Sequence, residues 1–318
     1  MLKNIAFLIL ILFLNFFTVS NLSAYWVWTP ESKKWTNPKY ATKDFPKDQF
    51  DWSMDFFTKK NYKRAIKEFR KLVDNFPRSK YAAEAQFYIG ESYMEFKKYY
   101  TAYLEYQKAI EKYPGTKRIN DIIERQLQIA NHYYYAKEKS FAGITIPKDY
   151  SICIDIYSQI VKSAPYADKA DHAQFFLAES YRAIGKFEEA IDAYNKLIDK
   201  YSSSKFIVEA KYKIALSHSS GSLGASYDSK ETEKAIDEFT EFSKKHGETA
   251  RAVEAKQEMG DLQNKNAEKI YDIARFYERG GNYDAALLYY EDIIKKYPET
   301  VYGKKAQDRS AIIYKKHG

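Results

Sequence analysis

The residues in this chain that could make or break bonds are few and scattered. Five histidines and one cysteine are spread through 318 positions. Metal-assisted hydrolysis would need a pattern such as His-Glu-x-x-His on one helix face, phosphoryl transfer a glycine-rich loop closing on Lys-Ser/Thr, and acyl transfer a Gly-x-Ser-x-Gly elbow. None of the three is present. His218 and His246 stand where an internal repeat places aromatic residues, and Cys153 stands where that repeat places alanine. All three are therefore read as packing residues. Gly280-Gly281 falls in a turn between two helices, not in a phosphate cradle. The sequence implies no cofactor, no metal and no enzymatic activity, so function is expected to reside in a binding surface.

The elements that would build such a surface are legible. Tyr62 to Pro77 places Ala65, Phe69, Leu72, Val73 and Phe76 at three- and four-residue steps, opposite Lys, Arg, Glu and Asp. That is one amphipathic helix, with Asn61 able to cap its start and Pro77 unable to continue it. The same ruler returns five more times. Its small slot holds Ala65, Ala102, Cys153, Ala190, Ala235 and Ala286, at successive offsets of 37, 51, 37, 45 and 51 residues. Four residues after each come Phe69, Tyr106, Tyr157, Tyr194, Phe239 and Tyr290; the stop slot holds Pro77, Pro114, Pro165, Ser202, Gly247 and Pro298. A second helix precedes each of these, with Ser53, Gly90, Ala130, Ala178, Ala215 and Ala274 at its own small slot. Small residues let antiparallel helices approach, and aromatics fill the space between neighbouring pairs.

This pattern resembles the tetratricopeptide repeat. It implies an all-α solenoid of about six helix pairs spanning residues 47–318, closed by a polar C-terminal helix over Ala306–Lys316. One long helix is expected from Ala252 to Tyr277, and insertions at Ala136–Lys148 and Ser219–Glu231 interrupt the third and fifth repeats. In such a solenoid the first helix of each pair lines the concave side. The candidate peptide groove is then Phe50, Met54, Phe57, Phe87, Glu91, Asn131 and Tyr134, apolar and aromatic. Arg275 and Glu278 mark a charged partner-binding end. The formal charge of +8 is spread among acidic neighbours, as in Lys67-Glu68, and reads as a solvated face, not a nucleic-acid stripe.

Residues 1–24 read as a secretory signal: Lys3, an apolar run from Ile5 to Val19, and Leu22-Ser23-Ala24 as the cleavage site. An uncleaved anchor is the alternative. Residues 25–46 form a Trp-rich extended segment carrying Trp26, Trp28 and Trp35. It is read either as a strap over the first helices or as a segment whose aromatics meet a partner or a lipid interface.

The closing stretch carries a narrower resemblance. Ala267-Glu268-Lys269-Ile270-Tyr271-Asp272-Ile273-Ala274-Arg275-Phe276-Tyr277, then Gly280, Tyr283-x-x-Ala286 and Tyr297-Pro298-Glu299-Thr300, resembles the BamD family. These are periplasmic lipoproteins of the outer-membrane β-barrel assembly machine. Two departures stand out: the family's N-terminal acylated cysteine is absent from this sequence, and six repeats are counted against the usual five. The resemblance implies an exported scaffold at the periplasmic face of the outer membrane. It would bind the POTRA domains of the barrel-inserting subunit through its C-terminal repeats and unfolded outer-membrane proteins through its N-terminal groove. Membrane contact would be peripheral, direct or through partners. The rival reading is a periplasmic repeat adaptor that coordinates cell-wall synthesis with the Tol–Pal system.

Overall fold

The computed structural model describes residues 26–29, 34–37, 41–141, 144–222 and 229–317. The signal and its cleavage site lie outside them. The chain divides into two units, residues 1–113 and 114–318.

In the first unit, strands β1 (Val27–Thr29) and β2 (Lys34–Thr36) pair antiparallel. Two helix hairpins follow: α1 (Pro46–Thr58) with α2 (Tyr62–Asn75), and α3 (Lys80–Glu95) with α4 (Tyr99–Lys112). The second unit begins with α5 (Ile119–Tyr134) and α6 (Ser151–Ser163), separated by a small antiparallel pair, β3 (Lys139–Phe141) and β4 (Ile144–Ile146). Then come α7 (Ala170–Ala183) with α8 (Phe187–Lys200), α9 (Ile207–Ser222) with α10 (Ser229–Lys245), α11 (Ala250–Arg279) with α12 (Tyr283–Lys296), and α13 (Val301–His317). Six helix pairs and a closing helix are thus present among the described residues, a tetratricopeptide-like all-α architecture.

The repeat slots are the core. Ala65, Ala102, Cys153, Ala190, Ala235 and Ala286 are each 0% exposed, and so are the six aromatics four residues on. Gly90 shows why the facing slot must be small. A Cβ there would lie 2.5 Å from Cε1 of Tyr106. Helix starts are capped where the sequence places capping side chains: Asn61, Ser79 and Thr249 accept from the amides of Arg64, Tyr81 and Ala252. The turn inside a hairpin, between its first helix (helix A) and its second (helix B), needs one left-handed residue, seven positions after the helix-A small slot. Gly185 and Gly281 supply it at φ +75° and +77°. Lys60 and Lys97 adopt it at φ 59° and 56°, which a β-carbon makes costly.

The third-repeat insertion contains the β3–β4 pair. Of the two readings of the Trp-rich segment, the strap holds only for its last residues: Trp26, Trp28 and Trp35 are 63%, 48% and 65% exposed on a β-hairpin, whereas Thr42 and Lys43 lie against α1 and α2. The Lys43 amide donates to Gln49 Oε1, Asn75 donates to Thr42, and the Lys43 ammonium sits over the Trp52 ring.

The long helix extends to thirty residues, Ala250–Arg279, and serves two hairpins. Its first half packs Ala252, Ala255 and Leu262 with Phe239 and Phe242, while its second half packs Ala267 and Ala274 with Tyr290 and Ile293.

Candidate functional site

The predicted groove positions are organised by one rule that recurs down the chain. The residue after the helix-A small slot faces the hydroxyl of the helix-B aromatic. Tyr106 donates to Glu91, Tyr157 donates to Asn131 Oδ1 at 2.6 Å, and Tyr194 donates to Glu179. Where the aromatic is phenylalanine, the facing position is apolar: Met54 in the repeat of Phe69, Leu216 in that of Phe239. A buried hydroxyl needs a partner, and a ring without one needs none. Glu91 and Asn131, predicted to face a peptide, are therefore occupied within the fold.

The last repeat applies the rule with a one-turn shift. Tyr290 donates to Glu278 Oε2 at 2.7 Å because Arg275 holds the usual acceptor position. Arg275 Nη1 reaches the same carboxylate at 2.9 Å, and Arg309 from α13 grips its other oxygen. The Glu278 side chain is only 9% exposed. Burial pushes its pKa up, but Arg309, Tyr290 and Arg275 outweigh that and hold it below the usual carboxylate value. Glu278 is thus the clasp that ties the closing helix to the last hairpin, not a free rim charge. Arg275 remains about a third exposed.

The aromatic groove candidates separate in the same way. Phe87 is 6% exposed and packs on Tyr106 at 5.7 Å, so it offers no open wall to a peptide. Tyr134 stacks edge-on against Tyr150 and Phe176, and burial drives its phenol pKa well up. Phe50, Met54 and Phe57 are half-buried against the first core cluster. The structure therefore brings Phe50, Met54 and Phe57 together in the first unit and commits Phe87, Glu91, Asn131, Tyr134 and Glu278 to internal roles.

Sequence reading missed a second polar ladder. Gln49, Gln86 and Gln174, each four residues before a helix-A small slot, donate to the backbone carbonyls of Glu68, Glu105 and Ala193. The recurrence of glutamine at that offset was the available signal. It also explains two buried acids. Glu68 is clasped by Arg64 and Lys71, and Glu105 by Arg70 and Lys108. Arg64, Arg70 and Lys71 line a cleft of about 960 Å³ along α2, with Tyr93 and Phe96 at its edge. Their charge is paired with Glu68 and Glu105.

One apolar surface stands out in the second unit. The bulky residue before the helix-A small slot is buried where a helix B of the same unit precedes it: Ile89 1%, Leu177 8%, Ile214 6%. Ile273 is 43% exposed, and Phe276 beside it 67%. Of the five matching positions to Phe276 elsewhere, Ser92, Ser180 and Ser217 are buried, Asp55 is half-buried and His132 is exposed. The cause is the long helix. Ile273 lies eighteen residues beyond Ala255, about 27 Å along α11, past the part that α10 covers. Among the described residues no group of His, Cys, Asp and Glu is arranged to hold a metal ion, and no helix is long and apolar enough to cross a membrane.

The family model described as YfiO, outer membrane lipoprotein, matches residues 146–318, more than half of the sequence. The chain belongs to the YfiO family. A tetratricopeptide-repeat model matches residues 84–116 of this YfiO-family chain. Among curated proteins it is similar to the outer membrane protein assembly factor BamD of Rickettsia prowazekii, 25% identical over 167 residues. That match covers 52% of this chain and 66% of the relative's length. Among solved structures, MamA covers 65% of this chain and 94% of its own, at 17% identity and a TM-score of 0.36. A tetratricopeptide repeat protein from Parabacteroides merdae covers 84% and 98%, at 10% identity and a TM-score of 0.34. The fold assignment rests on the repeat geometry above and not on these two likenesses.

Proposed function

We propose that this YfiO-family chain is a non-enzymatic scaffold on the periplasmic face of the outer membrane that takes part in assembling and inserting β-barrel proteins. The observation that carries this reading is the family match over residues 146–318, together with the relative's name, outer membrane protein assembly factor BamD. Its second unit binds the POTRA domains of the barrel-inserting subunit. The Ile273–Phe276 ridge supports that assignment, since the two side chains share one face of α11 at i, i+3, with the exposed Asp272 one turn before Phe276. An apolar centre with a charge at its margin is the composition of a protein–protein contact. The first unit receives unfolded outer-membrane proteins at Phe50, Met54 and Phe57, its half-buried apolar groove residues.

Titration with purified POTRA domains tests the reading. Ile273→Ser with Phe276→Ser removes the apolar centre and is expected to weaken binding about tenfold or more, as loss of hot-spot side chains does. Capture of an unfolded barrel peptide is expected to be unchanged by that pair. Unaltered POTRA affinity in the double variant would show that the ridge is not the contact.

A further inference from the structure

The Trp-rich hairpin has no part in the scaffold role above, and its geometry points to a different ligand. Strands β1 and β2 pair Val27 with Thr36, Trp28 with Trp35, and Thr29 with Lys34. Opposed residues of an antiparallel pair share a face, and so do alternate residues of one strand. Trp28 and Trp35 therefore lie on the same side of the ribbon, and Trp26, two residues before Trp28, joins them. All three indoles are about half exposed or more. A two-stranded ribbon has no core of its own in which to hide them. The first unit does not offer them a vacancy either, since Phe50 is already packed on Phe69, Tyr81 and Tyr88.

Three indoles on one face, each with an apolar ring and one N–H donor, match the headgroup boundary of a bilayer, where tryptophan concentrates. The charge of the segment agrees. Between residues 25 and 46, Lys33, Lys34, Lys39 and Lys43 stand against Glu31 and Asp44, four cations to two acids. A net positive segment is drawn to anionic lipid. Its place in the chain agrees as well, because the apolar run Ile5–Val19 ends seven residues before Trp26.

We infer that the Trp26, Trp28 and Trp35 face seats in the phospholipid interface of the membrane and holds the first unit at the bilayer surface. The occupant is lipid, and not a protein or a second copy of the chain.

Protein purified from its own membrane and the Trp26→Ala/Trp28→Ala/Trp35→Ala variant, handled identically, are mixed with vesicles of phosphatidylglycerol and phosphatidylethanolamine. The state of residues 1–24 is then the same in both arms, so the difference between them reports the indoles alone. Three of the four tryptophans are in the hairpin, so the emission of the natural protein reports it directly. Brominated lipid is expected to quench about half or more of that emission, and the variant is expected to partition about tenfold less into vesicles. Unchanged helical melting in the variant confirms that the helices are intact. Absence of quenching overturns the inference, as does equal vesicle binding by both proteins. Protection of the indoles by a detergent-solubilised protein partner, with no response to lipid, likewise overturns it in favour of a protein contact.

Discussion

The pairing of a buried tyrosine with a facing acceptor can be tested by converting one repeat into the chemistry of another. Tyr157 and Asn131 are the cleanest pair, because both are neutral and 2.6 Å apart. Tyr157 is 0% exposed. Replacing Asn131 with Leu strands its hydroxyl, and a buried unsatisfied group costs about 1–3 kcal/mol. Tyr157→Phe loses one neutral hydrogen bond, about 1 kcal/mol, while the half-buried Asn131 side chain can turn to water. The double variant reproduces the Leu216–Phe239 combination that the fifth repeat already uses. It is expected to fall within about 0.5 kcal/mol of the natural protein, giving a coupling of about 1.5–4 kcal/mol. Urea unfolding followed by far-ultraviolet circular dichroism and by near-ultraviolet signal gives the midpoints, and coincident transitions license the free energies. Additive losses in the double variant, or a harmless Asn131→Leu, would refute the rule.

Three further outcomes follow from the same geometry. Gly90→Ala places a methyl group inside the Tyr106 ring contact and is expected to destabilise by about 1–3 kcal/mol in the same melts. Lys97→Gly relieves a left-handed β-carbon and is expected to raise stability by about 0.5–1 kcal/mol, read as a higher urea midpoint. Glu278 has a folded pKa below its unfolded value, so the stability it contributes is full above the ordinary carboxylate range and is lost as pH falls through the folded value. Glu278→Gln is therefore expected to lower stability at neutral pH by about 1–3 kcal/mol and to flatten the acid limb of a stability–pH profile. A profile of unchanged slope would contradict that.

The helices and their pairing were legible because each slot is sampled six times, so a position such as Phe69 or Tyr157 is identified by its equivalents as well as by its neighbours. Cys153 was placed in the core by the same logic. The binding surface was less legible, for two physical reasons. Polar residues at the concave position, Glu91 and Asn131, looked available, yet a tyrosine hydroxyl on the partner helix takes each of them. The signal lay in the sequence as the matched choices Tyr with Glu or Asn and Phe with Met or Leu. The exposure of Ile273 and Phe276 depends instead on what is missing beside them. Their residue types fit a buried slot, and only the thirty-residue helix, which carries them beyond α10, leaves them uncovered. The β3–β4 pair spans three residues a strand, too short for an alternating pattern to show.

The most direct test of the scaffold reading is affinity purification of the tagged full chain from its native membrane, with quantitative identification of what is retained. The account predicts a POTRA-bearing barrel-inserting protein at one-to-one stoichiometry, together with unfolded outer-membrane proteins. Recovery of Tol–Pal components or cell-wall synthases in its place would contradict it.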